Sequence, residues 1–528
     1  MQSHAKCPVP PARRRPPRKR VLIVNAFLDE YRRTRGSPFR VPRAMGPPTL
    51  AGAFAPDLWD IRLFNEQYSG LLTDLDLLGW PDLLVLTGVT TSFDRMKQLT
   101  AYARTLNEKV IVVAGGPPVR ALPNLSRSIF DYACTGDVEQ LQDVVRDAFG
   151  RDYAADVMEP RLDLPYGGGM FGYVEASRAC NFRCSFCSLT GEGAAYRNYD
   201  LAMVRRQIEA VGKKQICFID NNFYGNDRDA FLAKVALCKE FYEAGKIKGW
   251  SCLVAGDFFA RPENLELVRA AGCKALFSGI ESFDQETLKS YNKKQNAIVP
   301  QIEMITNCLE AGIVFTYGVM LDPTTRRIAD LRNEIEFILS KPQITLPAYF
   351  TLAIPLIGTP YFYQCLDKGA FFPNTRLRNL DGVTLTMQPL DPLDEVMEFV
   401  RGLISIRGYR HAALRHSMAF ARRYHGVLEP MQLYASLLAA ALICTEFFAS
   451  SPGRRQTGRP KQTFYGPTEI LDPCYTPLVP IAARYADHFA PTLVTDETGA
   501  LHPGIAGDLA QPRDAKPGGR RQVGLAVV

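Results

Sequence analysis

One feature restricts the fold more than any other. From about Arg20 to Pro360, short continuous apolar runs alternate with segments of helical spacing. In the first third, Val21-Leu22-Ile23-Val24, Trp59 to Phe64, Asp82 to Leu86 and Val110 to Ala114 read as strands. Helices are expected over Pro48 to Ala55 and over Asp94 to Leu106, where Met96, Leu99, Tyr102, Ala103 and Leu106 recur at helical intervals. A strand that is apolar throughout must be covered on both faces, and helices between such strands impose parallel pairing. Residues 20–150 are therefore expected to form an open parallel α/β sheet, which binds its ligands beyond the carboxyl ends of the strands. Those ends carry Asn25-Ala26-Phe27, Thr87-Gly88-Val89-Thr90-Thr91-Ser92 and Gly115-Gly116-Pro117-Pro118. None contains GxGxxG or GxxxxGKS/T, so neither a dinucleotide nor a P-loop nucleotide is indicated. The pattern suits a large ligand lying against small residues and hydroxyls.

Residues 151–165, acidic and proline-containing, read as a linker. Strand and helix units then resume. Met170 to Val174, Gln215 to Ile219, Gly249 to Val254, Ala275 to Gly279, Val314 to Val319 and Ala348 to Ile354 are the strands, and Leu201 to Val211, Arg261 to Ala271 and Ile328 to Leu339 are among the helices. Six such units within residues 166–375 imply a partial parallel (β/α) barrel, open enough for a bulky substrate, with its site at the strand carboxyl ends.

The first barrel strand runs into Cys180-Asn181-Phe182-Arg183-Cys184-Ser185-Phe186-Cys187. Three thiols on one loop can ligate three irons of a cubane 4Fe-4S cluster and leave the fourth iron open. A structural zinc site would want a fourth Cys or His nearby, and the span from Ala5 to Arg410 holds no histidine. Buried structural thiols are not normally bunched on a loop containing arginine. Disulfides would need an oxidising compartment. Cys180, Cys184 and Cys187 are thus the expected metal ligands and the centre of catalysis.

This CxxxCxxC, with the aromatic Phe186 before its last cysteine, resembles the signature of the radical SAM superfamily. The resemblance implies that S-adenosylmethionine chelates the open iron, that an electron from the cluster cleaves it to a 5′-deoxyadenosyl radical, and that Phe186 lies beside the adenine. It continues along the chain. Asp220-Asn221-Asn222 stands where the family's second-strand motif meets the methionine amino group, although the usual Gly-Gly-Glu is absent. Gly279-Ile280-Glu281-Ser282, followed by Asn292-Lys293-Lys294, is similar to the segment that contacts the ribose and methionine carboxylate. Pro355 to Pro360 resembles the closing PxPGTP. The same reading implies an outside electron donor such as flavodoxin or ferredoxin.

Residues 20–150 in turn resemble the Rossmann-like (flavodoxin-like) cobalamin-binding domain that precedes the barrel in one class of these enzymes. The matching positions are Gly46-Pro47-Pro48, Pro81-Asp82, the hydroxyl loop with Thr87, Thr90, Thr91 and Ser92, the pair Gly115-Gly116, and Thr135-Gly136-Asp137-Val138-Glu139. The implied roles are a close backbone approach to the corrin or its nucleotide tail at the glycines, and reception of that tail by the hydroxyls. The block holds no histidine, so it supplies no DxHxxG ligand to cobalt. The resemblance implies a cobalamin-dependent enzyme that methylates an unactivated carbon of a lipid, tetrapyrrole or natural-product substrate. The alternatives are a radical SAM cyclase, oxidase or rearrangement enzyme without methyl transfer, and a non-catalytic cobalamin or iron–sulfur sensor.

Composition supports a cytoplasmic protein: 47% hydrophobic and 22% charged residues are ordinary for a globular chain, and thirteen irregularly spaced cysteines suit a reducing compartment. Met1 to Arg20 holds seven Lys or Arg, five Pro and no acid. Residues 1–19 read as a disordered solvated tail, and no nucleic-acid partner is expected. Val21 to Leu28 is followed at once by Asp29-Glu30, which fits a strand better than a signal peptide. Pro430 to Thr445 is uncharged but too short to span a bilayer and reads as a buried helix. Residues 376–500 are expected to be mainly helical, with helices over Asp391 to Tyr409 and Ala412 to Tyr424, and to hold the late histidines His411, His416, His425 and His488. Pro452 to Lys461 reads as an exposed loop, and residues 501–528, which include His502, as a disordered tail.

Overall fold

The computed structural model describes residues 16–28, 44–166, 169–405, 409–446 and 472–509. β1 (Lys19–Asn25), β2 (Trp59–Asn65), β3 (Leu83–Thr87), β4 (Ile111–Gly115) and β5 (Tyr132–Cys134) form one sheet in the order β2-β1-β3-β4-β5, parallel throughout. Alternate residues serve opposite faces. Leu22, Val24, Leu84 and Leu86 pack with the helix Phe93–Leu106, while Val21, Ile23, Leu83 and Val85 pack on the other side with helices Gly46–Ala51 and Gln140–Phe149. Burial on both faces is why these strands are apolar without alternation.

β6 (Phe171–Val174) opens the second unit. β7 (Ser177–Arg178) and β8 (Arg197–Asn198) pair antiparallel and bracket the cysteine loop. β9 (Gln215–Phe218), β10 (Gly249–Leu253), β11 (Cys273–Phe277) and β12 (Val314–Thr316) add in chain order to β6, every pair parallel. The expected strand Val314 to Val319 is interrupted at Tyr317 and resumes as β13 (Gly318–Leu321), which pairs in parallel with β14 (Tyr349–Leu352). A bridge from Glu281 to Val319 ties β13 to the exit of β11. The result is six strand–helix units in an open barrel, with its core between this curved sheet and the helices outside it.

Four boundaries differ from the sequence reading. Lys19 belongs to β1, and Arg18 and Pro17 are tied to Trp59 and Tyr153. Residues 1–15 and Pro452 to Lys461 lie outside the described residues. The linker is fastened to the first domain: Ala155 N–H donates to the Ala53 carbonyl at 2.9 Å, Arg161 N–H to that of Pro48 at 2.8 Å, and the Trp59 indole to that of Tyr153 at 2.8 Å. Leu393–Ser405, Tyr409–Tyr424 and Pro430–Glu446 are helices, whereas residues 472–500 are turns and short helical turns that contact both the helix Phe93–Leu106 and residues 372–377. The end is not unstructured from His502 onward. Pro503–Leu509 is a helix with Ile505 and Leu509 buried, and the Asp508 carboxylate accepts from the N–H groups of Asn124 and Leu125 at 2.6 and 3.0 Å. That carboxylate satisfies free donors at the start of the helix Pro123–Arg127, a long-range cap invisible to local pattern.

Candidate active site

The cysteine loop is held by backbone contacts from two sides. Ser185 N–H donates to the Tyr291 carbonyl at 2.9 Å, and Tyr361 N–H donates to the Ser185 carbonyl at 3.0 Å. The same two tyrosines converge on one buried carboxylate, their hydroxyls donating to Asp322 Oδ2 at 2.8 and 2.9 Å. Phe186 meets the edge of the Tyr291 ring at 5.3 Å and lies 5.5 Å from the Lys293 ammonium. Asn292 Nδ2 donates to the Arg183 carbonyl and Thr190 Oγ1 to that of Cys184. Apart from Thr190, the residues that make these contacts with the loop lie more than a hundred positions away.

All three signature cysteines are free thiols, with Cys184 buried and accepting from Gln295 Nε2 at 3.3 Å. Burial pushes the Cys187 thiol up to about 11 and raises Cys180 as well. Such thiols become thiolates readily only against a metal cation. Among the described residues no three His, Cys, Asp or Glu side chains converge as ligands of a single ion. A cubane cluster asks for something different, one thiolate per iron.

Around this loop the barrel rim holds polar atoms that lack protein partners although buried: Ser185 Oγ, Asp257 Oδ1, Ser278 Oγ, Gln295 Oε1 and Asn296 Oδ1. Buried polar groups are normally satisfied. Their collection at the strand ends beside the thiols is the donor and acceptor set that a polar ligand such as S-adenosylmethionine would complete. Glu281, held at φ 62°, accepts from Lys293 Nζ at 2.8 Å. Burial alone would lower the Lys293 ammonium, but Glu281 and the Cys184 and Cys187 thiols outweigh it and keep the lysine charged. Asp257, in the turn Gly256–Ala260 after β10, is pushed up to about 6 by burial.

Three sequence-predicted residues bond to the protein at the strand ends, and Asp220 Oδ2 is a further buried atom without a protein partner. Asp220 is fully buried, and its Oδ1 accepts from the N–H groups of Ala176 and Ser177 at 2.7 and 3.1 Å. Asn222, also fully buried, donates to Asn181 Oδ1 at 2.7 Å and accepts from Ala255 N–H. Ser282 donates to Glu334 Oε1 at 2.7 Å. Asn221 is exposed. Sequence reasoning did not single out Asp257, Gln295, Asn296 or the pair of tyrosines on Asp322. The position of Asp257 after a barrel strand was a signal for the first; the others leave no motif. The late histidines lie elsewhere: His416 contacts the Lys341 carbonyl on the barrel's outer side.

The strand ends of the first sheet face the same region. Thr87 pairs in register with Gly115, and Gly116 has φ 104°. A Cβ on Gly116 would come within 2.9 Å of the Gly88 carbonyl oxygen, so only glycine lets these two loops touch. Thr87, Gly115 and Gly116, with Gly46, Gly136 and Asp137, line a cavity of about 110 Å³. A larger one, about 330 Å³, lies between the domains: Thr90 and Thr91 on one wall, Ser188 immediately after Cys187 and Leu356 of the closing loop on another. Ser92 is fully buried beneath the Gly88 turn. The small residues Thr87, Gly115 and Gly116 leave the backbone open to close approach by a large planar ligand.

The domains are fastened beside this cavity. Asp137 bonds Arg178 at 2.9 Å and Arg197 at 3.0 Å, Glu139 bonds Arg197 at 2.6 Å, and Arg120 bonds Glu192 at 2.5 Å. Burial would raise the Asp137 carboxyl, but the guanidiniums of Arg178 and Arg197 hold it below its ordinary value.

Comparison with known proteins agrees with this geometry. Residues 174–335 match the Radical SAM superfamily. The chain is 25% identical over 405 residues to hopanoid C-2 methylase of Rhodopseudomonas palustris, covering 72% of this chain and 74% of that one. It is 27% identical over 360 residues to bacteriochlorophyllide d C-12(1)-methyltransferase of Chlorobaculum tepidum, covering 61% and 74%. The fold is similar to that of the cobalamin-dependent S-adenosylmethionine radical enzyme OxsB, with TM-score 0.55 and 14% identity over 81% of this chain and 72% of that one. It is also similar to the radical S-adenosylmethionine methyltransferase TsrM of Kitasatospora setae, with TM-score 0.51 and 15% identity over 68% and 76%. The cysteine loop, the rim beside it and the matched domain lead to one conclusion: this chain is a radical SAM enzyme, a 4Fe-4S and S-adenosylmethionine barrel built behind a Rossmann-like domain.

Proposed function

We propose that the chain is a cobalamin-dependent methyltransferase acting on an unactivated carbon of a lipid or tetrapyrrole. The observation that carries this reading is the interdomain cavity, which sets Thr90 and Thr91 of the first sheet opposite Ser188 of the cysteine loop and Leu356 of the closing loop. The names of the two relatives support the reaction and the substrate class.

When bound, the cluster supplies the electron that splits S-adenosylmethionine, and cobalamin carries the methyl group. The chain's own residues do the rest. Cys180, Cys184 and Cys187 would hold the cluster. Asp322, through Tyr291 and Tyr361, fixes Ser185 and the Phe186 ring, while Lys293, Glu281, Asp257 and Asn296 would offer charge and hydrogen bonds to S-adenosylmethionine. Thr87, Gly115 and Gly116 would receive the cobalamin at the sheet edge, with Thr90 and Thr91 along the cavity wall. Phe27, Ile354 and Leu356 give the same cavity an apolar side on which a greasy substrate would rest. The buried pair Arg95–Glu66 at 2.7 Å steadies that wall, since Glu66 also accepts from Phe27 N–H at 3.0 Å.

Cys180, Cys184 and Cys187 are unoxidised thiols, which suits a reducing cytoplasm, where a flavodoxin or ferredoxin would deliver the electron. The test is anaerobic reconstitution with iron, sulfide and cobalamin, then reaction with methyl-labelled S-adenosylmethionine and extracts rich in hopanoid or chlorin lipids. Label in a product together with 5′-deoxyadenosine supports methyl transfer. Deoxyadenosine with an unlabelled, altered substrate would assign a ring closure or oxidation instead.

A further inference from the structure

The helices Tyr409–Tyr424 and Pro430–Glu446 pack on the outside of the barrel as a pair, and several of their side chains turn inward onto it. Phe420 and Tyr424 are buried, with the Tyr424 hydroxyl donating to the Gln343 carbonyl at 2.6 Å. Leu433 and Leu437 pack against the barrel core, and Gln432 Nε2 donates to the carbonyls of Lys274 and Gly312 at 2.8 and 3.0 Å. The outer side differs. Met431, Tyr434 and Leu438 recur one turn apart and are 72, 61 and 42% exposed, beside Leu414 at 57% and Met418 at 44%. The second helix has no charged residue before Glu446, so the expectation of a buried helix is met on one face only. A helix apolar on every side normally has every side covered.

The charge pattern discriminates between candidate occupants of this face. The first helix contains four arginines and no Asp or Glu, and Arg415 and Arg422 are exposed on the same stripe as Leu414 and Met418. A second copy meeting this face across a two-fold axis would set this acid-free helix against itself, arginine against arginine. An anionic bilayer matches it: phosphate groups meet the guanidiniums, apolar side chains enter the acyl boundary, and Tyr434 stands where an amphipathic ring favours the interface. No helix among the described residues is long and apolar enough to cross a membrane, so the pair would lie on the surface. We propose that the outer face of these paired helices docks the enzyme on an anionic lipid bilayer.

The experiment is flotation of the full-length chain with vesicles of phosphatidylcholine alone or mixed with phosphatidylglycerol, alongside light scattering without lipid. The wild type is expected to float with the anionic vesicles and to be released as salt is raised. Combined Arg415→Glu and Arg422→Glu, or combined Met431→Glu and Leu438→Glu, should each lower the bound fraction at least about tenfold. Both variants should keep the wild-type melting temperature and iron content, which separates lost docking from lost folding. Wild-type protein that stays with neither kind of vesicle overturns the proposal. So does a concentration-dependent dimer abolished by the Met431 and Leu438 variant, which would assign the face to a second copy. Cleavage of S-adenosylmethionine without lipid should be unchanged in both variants, so failure here leaves the assigned chemistry standing.

Discussion

The two sets of strand ends, one on each domain, are built by opposite means. On the barrel side, Lys293, Glu281, Asp257, Gln295 and Asn296 concentrate charge and buried hydrogen-bonding atoms around three thiols. On the sheet side, Thr87, Thr90, Thr91, Gly115 and Gly116 offer small side chains and bare backbone. On the proposed assignment of cofactors, the difference says how each edge would recognise its own. Directed electrostatics suits a small zwitterion on a metal; shape and close backbone approach suit a large macrocycle. Damage should therefore be chemical on one side and steric on the other.

The severest test is Cys184→Ala, which should abolish the iron–sulfur absorbance and S-adenosylmethionine cleavage while cobalamin binding, read by its visible spectrum, persists. Loss of both cofactors together would mean that the two edges are not independent. Next, Lys293→Met leaves Glu281 buried without its cation, and should destabilise the chain by about 3 kcal/mol in anaerobic denaturant unfolding and weaken S-adenosylmethionine binding. Asp322→Ala removes the acceptor of two buried phenols and should cost about 2 kcal/mol while broadening the cluster's electron paramagnetic resonance signal. On the sheet side, Gly116→Ala forces a left-handed conformation on an L-residue and crowds the Gly88 carbonyl. It should cost about 1 kcal/mol and weaken cobalamin binding with S-adenosylmethionine binding unchanged.

The smallest effect is on pH dependence. Burial pushes Asp220 up to about 7 from an ordinary value of 3.8. Between those values the folded chain binds more protons than the unfolded one, so the stability from this group is full below about 4 and falls as pH rises towards 7. Asp220→Asn should flatten that slope in unfolding curves of the cluster-free protein, and a slope that survives the substitution would place its origin elsewhere.

Much of this arrangement was legible without coordinates. β1 to β4 and all six barrel strands lie at or within a few residues of the apolar runs that announced them, and Ile328–Leu339 coincides with its helical spacing. The thiol triplet was legible because its chemistry is local, three ligands on one loop. Asp220 and Ser282 were placed at the correct strand ends, but whether a strand-end side chain meets a ligand or a backbone depends on which loop crosses behind it. The helix Phe93–Leu106 shows the same limit. Its apolar spacing predicts one buried side, yet Asp94, Lys97 and Gln98 are buried as well, because the terminal segment binds them. Tyr475 and Thr492 donate to the Asp94 carboxylate at 2.8 and 2.6 Å, and Lys97 Nζ donates to the Ala490 carbonyl at 2.7 Å.

Amino-acid order alone therefore determined the parallel α/β character, the grouping of three thiols on one loop and the direction in which both domains present their strand ends, because periodicity and motif spacing act over a few residues. Tertiary structure decided the rest. It brought Asp322, Tyr291 and Tyr361 together around Ser185, set the domains facing across Asp137 and Arg178, and returned the last described segment to the first domain. Those contacts join residues far apart in the chain, and their partners are chosen by packing and charge pairing in space, which no local pattern encodes.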